Sequence, residues 1–267
     1  LTGHTGFQGT WLSLWLTLLG AKVIGYSLKP PTIPSLFNIL NIKNMVTSKI
    51  FDINNKKKLS SEISKCKPDI VMHLAAQALV VKSYKNPIET FSTNIIGTAN
   101  LLQSIRDVPS VKSCLVMTSD KAYDNKEWNH AYTENDPMGG YDPYSASKGA
   151  AEIVVSSFRK SFFTQKNSPG IATIRAGNVI GGGDWADYRL LPDCFKALSS
   201  HKKIILRNPQ AIRPWQHVLE SLSGFLLIGS KLAKNPKRFE GAWNIGPSTL
   251  NDISVKSVVS KIVKQWG

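Results

Sequence analysis

The chain has 267 residues, 42% hydrophobic and 19% charged, which suits one globular α/β unit with room for a smaller appendage. Lys and Arg outnumber Asp and Glu by 33 to 18, a formal charge of +15. The dense basic run is Lys56-Lys57-Lys58 with no interleaved aromatics, so the excess reads as a solvated surface, compatible with an anionic small substrate, and not as a nucleic-acid face. No apolar run approaches the roughly 18 residues of a membrane span and no secretory leader is evident. Cys66, Cys114 and Cys194 fit neither a zinc spacing nor a disulfide framework, which argues against a metal and for a reducing, cytoplasmic compartment.

In chain order, a glycine-rich turn comes first. Thr2-Gly3-His4-Thr5-Gly6-Phe7-Gln8-Gly9 runs into a helix predicted over Gly9–Leu19. Gly3, Gly6 and Gly9 allow a tight turn, close approach to a pyrophosphate and close packing of helix on sheet, with Thr5, Phe7 and Gln8 lining the same turn. The strand Lys22–Tyr26 completes a dinucleotide-binding signature, although Ser27 stands where a ribose-binding carboxylate is common. Ser27 can still bond the ribose and Lys29 could meet a 2′-phosphate, so NAD is favoured over NADP without being deduced.

A strand over Val46–Phe51 ends at Asp52-Ile53, which either meets the adenine or simply ends the strand. A helix over Leu59–Lys65 and a strand over Asp69–His73 lead to Leu74-Ala75-Ala76, small enough for the backbone to pass close to a cofactor. The helix Pro87–Arg106 carries Asn94, and the strand Val111–Met117 delivers Thr118-Ser119-Asp120-Lys121 into a loop. There follow helices over Tyr144–Phe163, Leu190–Ser200, Val218–Leu232 and Ile253–Trp266, and strands over Gly170–Arg175, Lys203–Leu206 and Ala242–Ile245.

This alternation predicts a doubly wound parallel (Rossmann) sheet. The NAD-binding domain is expected over 1–176 and a mainly substrate-binding region over 177–267, with part of 214–246 returning to the sheet. The glycine turn begins at residue 3 and the last helix runs to the final residue, so truncation at both ends is expected.

Tyr144 and Lys148 stand four apart in a predicted helix and so share one face. A nearby ammonium would lower the phenol's pKa and make Tyr144 a usable base. His4, His73 and His217 are not spaced as metal ligands; Glu134 and Asp136-Pro137 read as loop-shaping; Trp185 and Trp215 read equally as pocket lining or as core.

Gly3–Gly9, His73–Ala76, Asn94, Thr118–Lys121 and Tyr144–Lys148 together resemble the extended short-chain dehydrogenase/reductase superfamily. Gly139–Tyr144, Ala176–Trp185 and Ala211–Val218 resemble its sugar-nucleotide 4,6-dehydratases, in the group acting on CDP-glucose. The resemblance implies an NAD-dependent lyase of deoxysugar and lipopolysaccharide synthesis, with an internal redox cycle: oxidation at C4, loss of water across C5 and C6, reduction at C6. It implies Tyr144 as the C4 base, Ser119 on the C4 oxygen and Asp120 as the acid for the departing hydroxyl. Lys148 and Asn94 would stand beside the cofactor.

Lys121 is expected as the C5 base, or else as a cation stabilising the enolate. A base role needs a neutral amine, far below the free lysine pKa of about 10.4. Gln77, Asn178, Arg189, Arg207 and Arg213 are expected on the substrate, a guanidinium being suited to a diphosphate. The two long helices imply a homodimer. Another nucleotide-sugar dehydratase, a 4-epimerase or a non-catalytic NAD-binding fragment are the alternatives, and Asp120-Lys121 argues against the epimerase.

Overall fold

The computed structural model describes residues 1–128, 130–247 and 253–267. Its strands are β1 (Ile24–Ser27), β2 (Thr47–Ile50), β3 (Ile70–His73), β4 (Ser113–Met117), β5 (Gly170–Ala176), β6 (Asn178–Ile180), β7 (Trp215–His217) and β8 (Gly241–Ile245). Its α-helices are α1 (Phe7–Leu18), α2 (Leu36–Ile39), α3 (Lys56–Cys66), α4 (Val80–Lys85), α5 (Pro87–Phe91), α6 (Gly97–Ile105), α7 (Pro143–Phe162), α8 (Leu190–Ser199), α9 (Val218–Lys234), α10 (Pro236–Phe239) and α11 (Val255–Trp266).

β3, β4, β5 and β8 form one parallel sheet in that order, and β1 pairs with β2, also parallel. Leu1 and Thr2 join the two blocks. The Thr2 N–H donates to Met72 O at 2.9 Å and the Gly3 N–H to Tyr26 O at 2.8 Å, so the chain enters the glycine turn from between β1 and β3. Every residue of β4 and β5 is buried, as central parallel strands covered on both faces must be.

One face packs on α3, α6 and α7 through Leu59, Ile63, Leu101, Leu102, Ile105 and Val155. The other packs on α1 and α9 through Leu12, Val218, Leu222, Phe225 and Leu232. β8 returns the chain to the sheet beside β5, while β6 and β7 make a separate parallel pair above the strand ends.

Three expectations need correction. Residues 203–206 form no strand: Ile205 is 88% exposed and the segment has no ladder partner among the described residues, without which a short apolar run makes no strand. The helix expected over Pro87–Arg106 is interrupted by a π-helical turn, Ser92–Ile96, which carries Asn94. The pair β6/β7 and the short α2, α4 and α10 were not expected, being three to six residues long and too brief for a periodicity to show.

Candidate active site

Helix α7 starts where its sequence says it should. The Asp142 carboxylate accepts from the Ser145 N–H at 3.0 Å, and Pro143 occupies the first turn, where a missing N–H costs nothing. That start fixes Tyr144 one turn before Lys148, both turned inward at 8% and 6% exposure. The Lys148 ammonium donates to the Met117 carbonyl at the end of β4, 3.2 Å away. Burial brings its pKa down to about 8, with Glu152 opposing. The Tyr144 phenol is pushed up by burial; the Ser119 hydroxyl and Arg189 pull it down, and Asp120 and Asp142 add to the rise. The net shift is upward, opposite to the depression expected from the spacing, and the Lys148 ammonium is turned to the Met117 carbonyl.

β4 ends beside this pair. The Ser119 hydroxyl accepts from the Lys121 N–H at 3.2 Å, capping a single 3-10 turn over Asp120–Ala122, and donates to the Asp120 carboxylate at 3.0 Å. Burial pushes the Asp120 carboxyl above its ordinary value, with Ser119, Lys121 and Arg213 pulling the other way. A carboxyl that keeps its proton is what a general acid requires. Lys121 is exposed, so the burial expected to favour a neutral amine is missing.

The π turn brings Asn94 between two loops. Its amide donates to Ser147 Oγ at 2.8 Å and to the Gln77 carbonyl at 3.0 Å, and its oxygen accepts from the Gln77 N–H at 2.8 Å. Asn94 thereby ties the β3 loop to the residue next to Lys148. The Gln77 carboxamide, expected on the substrate, is engaged instead with Leu79 and Thr90, which makes it a loop-shaping group.

The glycine turn has the shape of a dinucleotide cradle. A Cβ on Gly3, whose φ is +76°, would lie 2.6 Å from the Ala75 nitrogen, and one on Gly9 would lie 2.0 Å from the Gly3 carbonyl oxygen. A Cβ on Gly6 would meet only that oxygen, at 3.4 Å, leaving open space above the start of α1. No side chain caps that start and its first turn has no acid, so its N–H groups suit a pyrophosphate. Phe7 and Gln8 are half-buried in the same turn. The Thr5 hydroxyl lies 2.8 Å from Ser27 Oγ and 2.9 Å from the Leu28 carbonyl, binding the turn to the end of β1. Asp52 is exposed and Ile53 lies in the core against Gly97. Leu74, Ala75 and Ala76 line the β3 exit half-buried.

Of the three arginines, two approach the catalytic groups. Arg189 acts on Tyr144 and pairs with Asp184 at 2.9 Å; Arg213 acts on Asp120. Arg207 acts instead on Asp193 of α8. Asn178 opens β6, its N–H donating to Pro214 O at 3.2 Å. Trp215 donates to Ile253 O at 3.0 Å, and the buried Trp185 indole N–H has no partner among the described residues.

His73 bonds Thr2 and Thr98, and burial brings its pKa down to about 3. His4 bonds Ser48 and, mainly through burial, falls to about 4. His217 caps α9. Among the described residues no three His, Cys, Asp or Glu side chains gather as a metal site, and no helix is long and apolar enough to cross a membrane.

Glu152 and Arg175 were missed by sequence reasoning, although Glu152 continues the Tyr144–Lys148 spacing by one more turn. They form a buried ion pair at 2.9 Å directly behind the catalytic helix.

Residues 1–265 match the family model described as GDP-mannose 4,6 dehydratase. The chain is 51% identical over its whole length to a CDP-glucose 4,6-dehydratase of Salmonella typhimurium, of which it covers 76%. A dTDP-glucose 4,6-dehydratase double mutant of Streptomyces venezuelae, solved with NAD, superposes with a TM-score of 0.82 at 20% identity, over 98% of this chain and 79% of that one. A UDP-glucose 4-epimerase of Thermus thermophilus, in complex with NAD, gives 0.82 at 21% identity, over 100% and 82%.

Proposed function

The chain belongs to the GDP-mannose 4,6 dehydratase family, and from that premise we propose that it is a lyase converting CDP-D-glucose to CDP-4-dehydro-6-deoxy-D-glucose and water, with NAD as cofactor. The observation that carries the substrate is the identity, along the whole chain, to a relative named for that sugar nucleotide. The geometry at Ser119, Asp120 and Tyr144 suits the chemistry.

Gly3, Thr5, Gly6, Phe7, Gln8 and Gly9 would hold the pyrophosphate, Ser27 the ribose and Asp52-Ile53 the adenine. Leu74, Ala75 and Ala76 would line the cofactor's path, and Asn94, Tyr144 and Lys148 would serve its nicotinamide end. NAD, when bound, supplies a reversible hydride acceptor. Tyr144 removes the C4 hydroxyl proton while Ser119 holds the oxygen on which a carbonyl develops. The 4-ketone acidifies C5 and a base takes that proton. Asp120, whose carboxyl burial pushes above its ordinary value, is the group placed to deliver a proton to the departing C6 hydroxyl.

We assign Lys121 to the C5 position, as base or as the cation facing the enolate; its exposure favours the second role. In Lys121→Met, undiminished exchange of the C5 hydrogen would exclude the base role. Arg189, Arg213 and Asn178 face the diphosphate and sugar. Arg207, whose charge acts on Asp193 of α8, stays a further candidate for the substrate, and Gln77, its carboxamide bonded to Leu79 and Thr90, acts through the loop it shapes.

A homodimer through α5, α6 and α7 accords with the exposed Ile88, Ile96 and Ile153 on those helices and the turn between them. We place the enzyme in the cytoplasm, where nucleotide sugars and NAD are made, and its product in the synthesis of lipopolysaccharide deoxysugars.

Incubation with NAD and, separately, CDP-glucose, dTDP-glucose, UDP-glucose and GDP-mannose tests the substrate. A 4-keto-6-deoxy product from CDP-glucose is expected. Product from another nucleotide sugar and none from CDP-glucose would overturn the assignment, and C4 inversion without loss of water would make the protein an epimerase.

A further inference from the structure

Tyr144, Lys148 and Glu152 stand at successive intervals of four on α7, and all three are buried. A carboxylate is costly to bury unless it is fully bonded and paired. Here it is both. Oε1 accepts from the Thr118 hydroxyl; Oε2 accepts from the Thr173 hydroxyl at 2.8 Å and from Arg175 Nη2 at 2.9 Å. Thr118 is the residue immediately before Ser119, and Thr173 and Arg175 lie on β5. Arg175 continues outward: its Nη1 donates to the Tyr123 hydroxyl at 2.8 Å and to the Glu134 carbonyl at 3.1 Å, and Tyr123 donates to Asn244 on β8 at 2.6 Å. The helix bearing Tyr144 and Lys148 is thus tied, through one carboxylate, to the strand end bearing Ser119 and Asp120.

We propose that Glu152 is a positioning residue for the dehydratase site: its carboxylate fixes α7 against the end of β4 and supplies the negative charge that faces the Lys148 ammonium one helical turn away. The inference deepens the function proposed above and rests on that reading only for its kinetic readout. Two of the three donors are neutral hydroxyls that an uncharged acceptor would satisfy as well, while the third, Arg175, is a buried cation that the carboxylate also balances. The charge matters because of what faces Lys148: Glu152 and Tyr144 on its own helix, the neutral His73 on β3 and the Met117 carbonyl on β4. Of these, Glu152 alone is an anion that holds the ammonium charged, opposing burial. Arg175 pairs with this carboxylate at 2.9 Å beneath the site.

Two variants separate the halves of the proposal. Glu152→Gln with Arg175→Met removes both charges together, so no arginine is left buried without a partner. Thr118→Val removes the tie to β4 and leaves the charge in place. The first readout uses no sugar nucleotide: the titration midpoint of Lys148, followed by NMR of carbon-labelled lysine and assigned with Lys148→Met. Loss of the carboxylate charge alone would lower that midpoint by about one to two pH units, the size of a unit charge at roughly 6 Å with an effective dielectric near 20; loss of the Arg175 charge offsets part of this, so the double variant is expected to lower it by about half a unit to one unit.

With CDP-glucose, the alkaline limb of its rate profile moves down by the same amount while KM stays near the parent value. Thr118→Val is expected to leave the midpoint in place and cut kcat about tenfold or more. A folded double variant with the parental Lys148 midpoint overturns the electrostatic half, and full kcat in Thr118→Val overturns the positioning half. If CDP-glucose proves not to be the substrate, the NMR midpoint still decides the role of Glu152.

Discussion

Gly9→Ala would place a Cβ 2.0 Å from the Gly3 carbonyl oxygen, 2.7 Å from its carbonyl carbon and 2.9 Å from the His4 Cα. All three are backbone atoms, so no rotamer change relieves the overlap; either the turn or the whole of α1 must move. Overpacking of this kind costs typically 1–3 kcal/mol, and a rigid neighbour puts it near the upper end. The gain in helix propensity from Gly to Ala is about 1 kcal/mol, leaving a net loss of about 2 kcal/mol, or roughly 4–8 °C in Tm for a chain of this size class.

Gly6→Ala makes the opposite test. Its φ of −79° suits any residue, and its Cβ meets nothing closer than 3.4 Å. A weaker N-cap, costing about 1 kcal/mol, is largely offset by the lower entropy of the unfolded chain, about 0.4–1 kcal/mol. Stability should hardly change, yet the methyl points where the pyrophosphate must approach. Calorimetric melting and titration with NAD, run on both variants, should give a folded, weakly binding Gly6→Ala and a destabilised Gly9→Ala. A Gly9→Ala protein melting with the parent, or a Gly6→Ala protein that binds NAD normally, would refute the reading of the turn.

Tyr144→Phe keeps the buried ring and should fold within about 1 kcal/mol of the parent, while product formation from CDP-glucose falls roughly 10²–10⁴-fold; a smaller loss removes Tyr144 as the C4 base. Asp120→Asn should still oxidise C4 but fail to expel the C6 hydroxyl, so reduced nicotinamide accumulates in single-turnover absorbance traces, and normal dehydration would move the acid elsewhere. Burial brings the Lys148 ammonium down from its ordinary pKa of 10.5 to about 8, with Glu152 opposing. Between those values the unfolded chain binds the additional proton, so this group's share of stability rises with pH across the window, while its cost is fully present below pH 8. Lys148→Met should therefore gain on the parent by about 3 kcal/mol below that window and lose the advantage towards its upper end. A stability difference that does not vary with pH would show that Lys148 is not depressed.

The cradle and the Tyr144–Lys148 pair were legible because their constraints are local. A glycine that must avoid a backbone atom, and two side chains one turn apart on a capped helix, are decided within about ten residues. What was misread depends on partners far along the chain. Residues 204–206 make an apolar run that reads as a strand but meet no strand among the described residues, so Ile205 lies in solvent. Gln77 looks available for a ligand until Thr90 and Asn94, brought round by the π turn, take up its amide and its backbone.

The electrostatics of the catalytic helix show the same limit more sharply. Spacing says that Lys148 is near Tyr144 but not where the ammonium points, and Met117 O, 31 residues away, claims it. The carboxylate that balances Lys148 is visible in the sequence at the next turn of the helix. A glutamate at that spacing usually marks a solvated face. Its opposite character follows only once Thr118, Thr173 and Arg175, separated from it by 34, 21 and 23 residues, are seen to fill its lone pairs. A buried acid is thus recognised by its donors and not by its own position: Thr118 stands at the end of β4, beside Ser119 and Asp120, and Thr173 and Arg175 lie on the neighbouring β5.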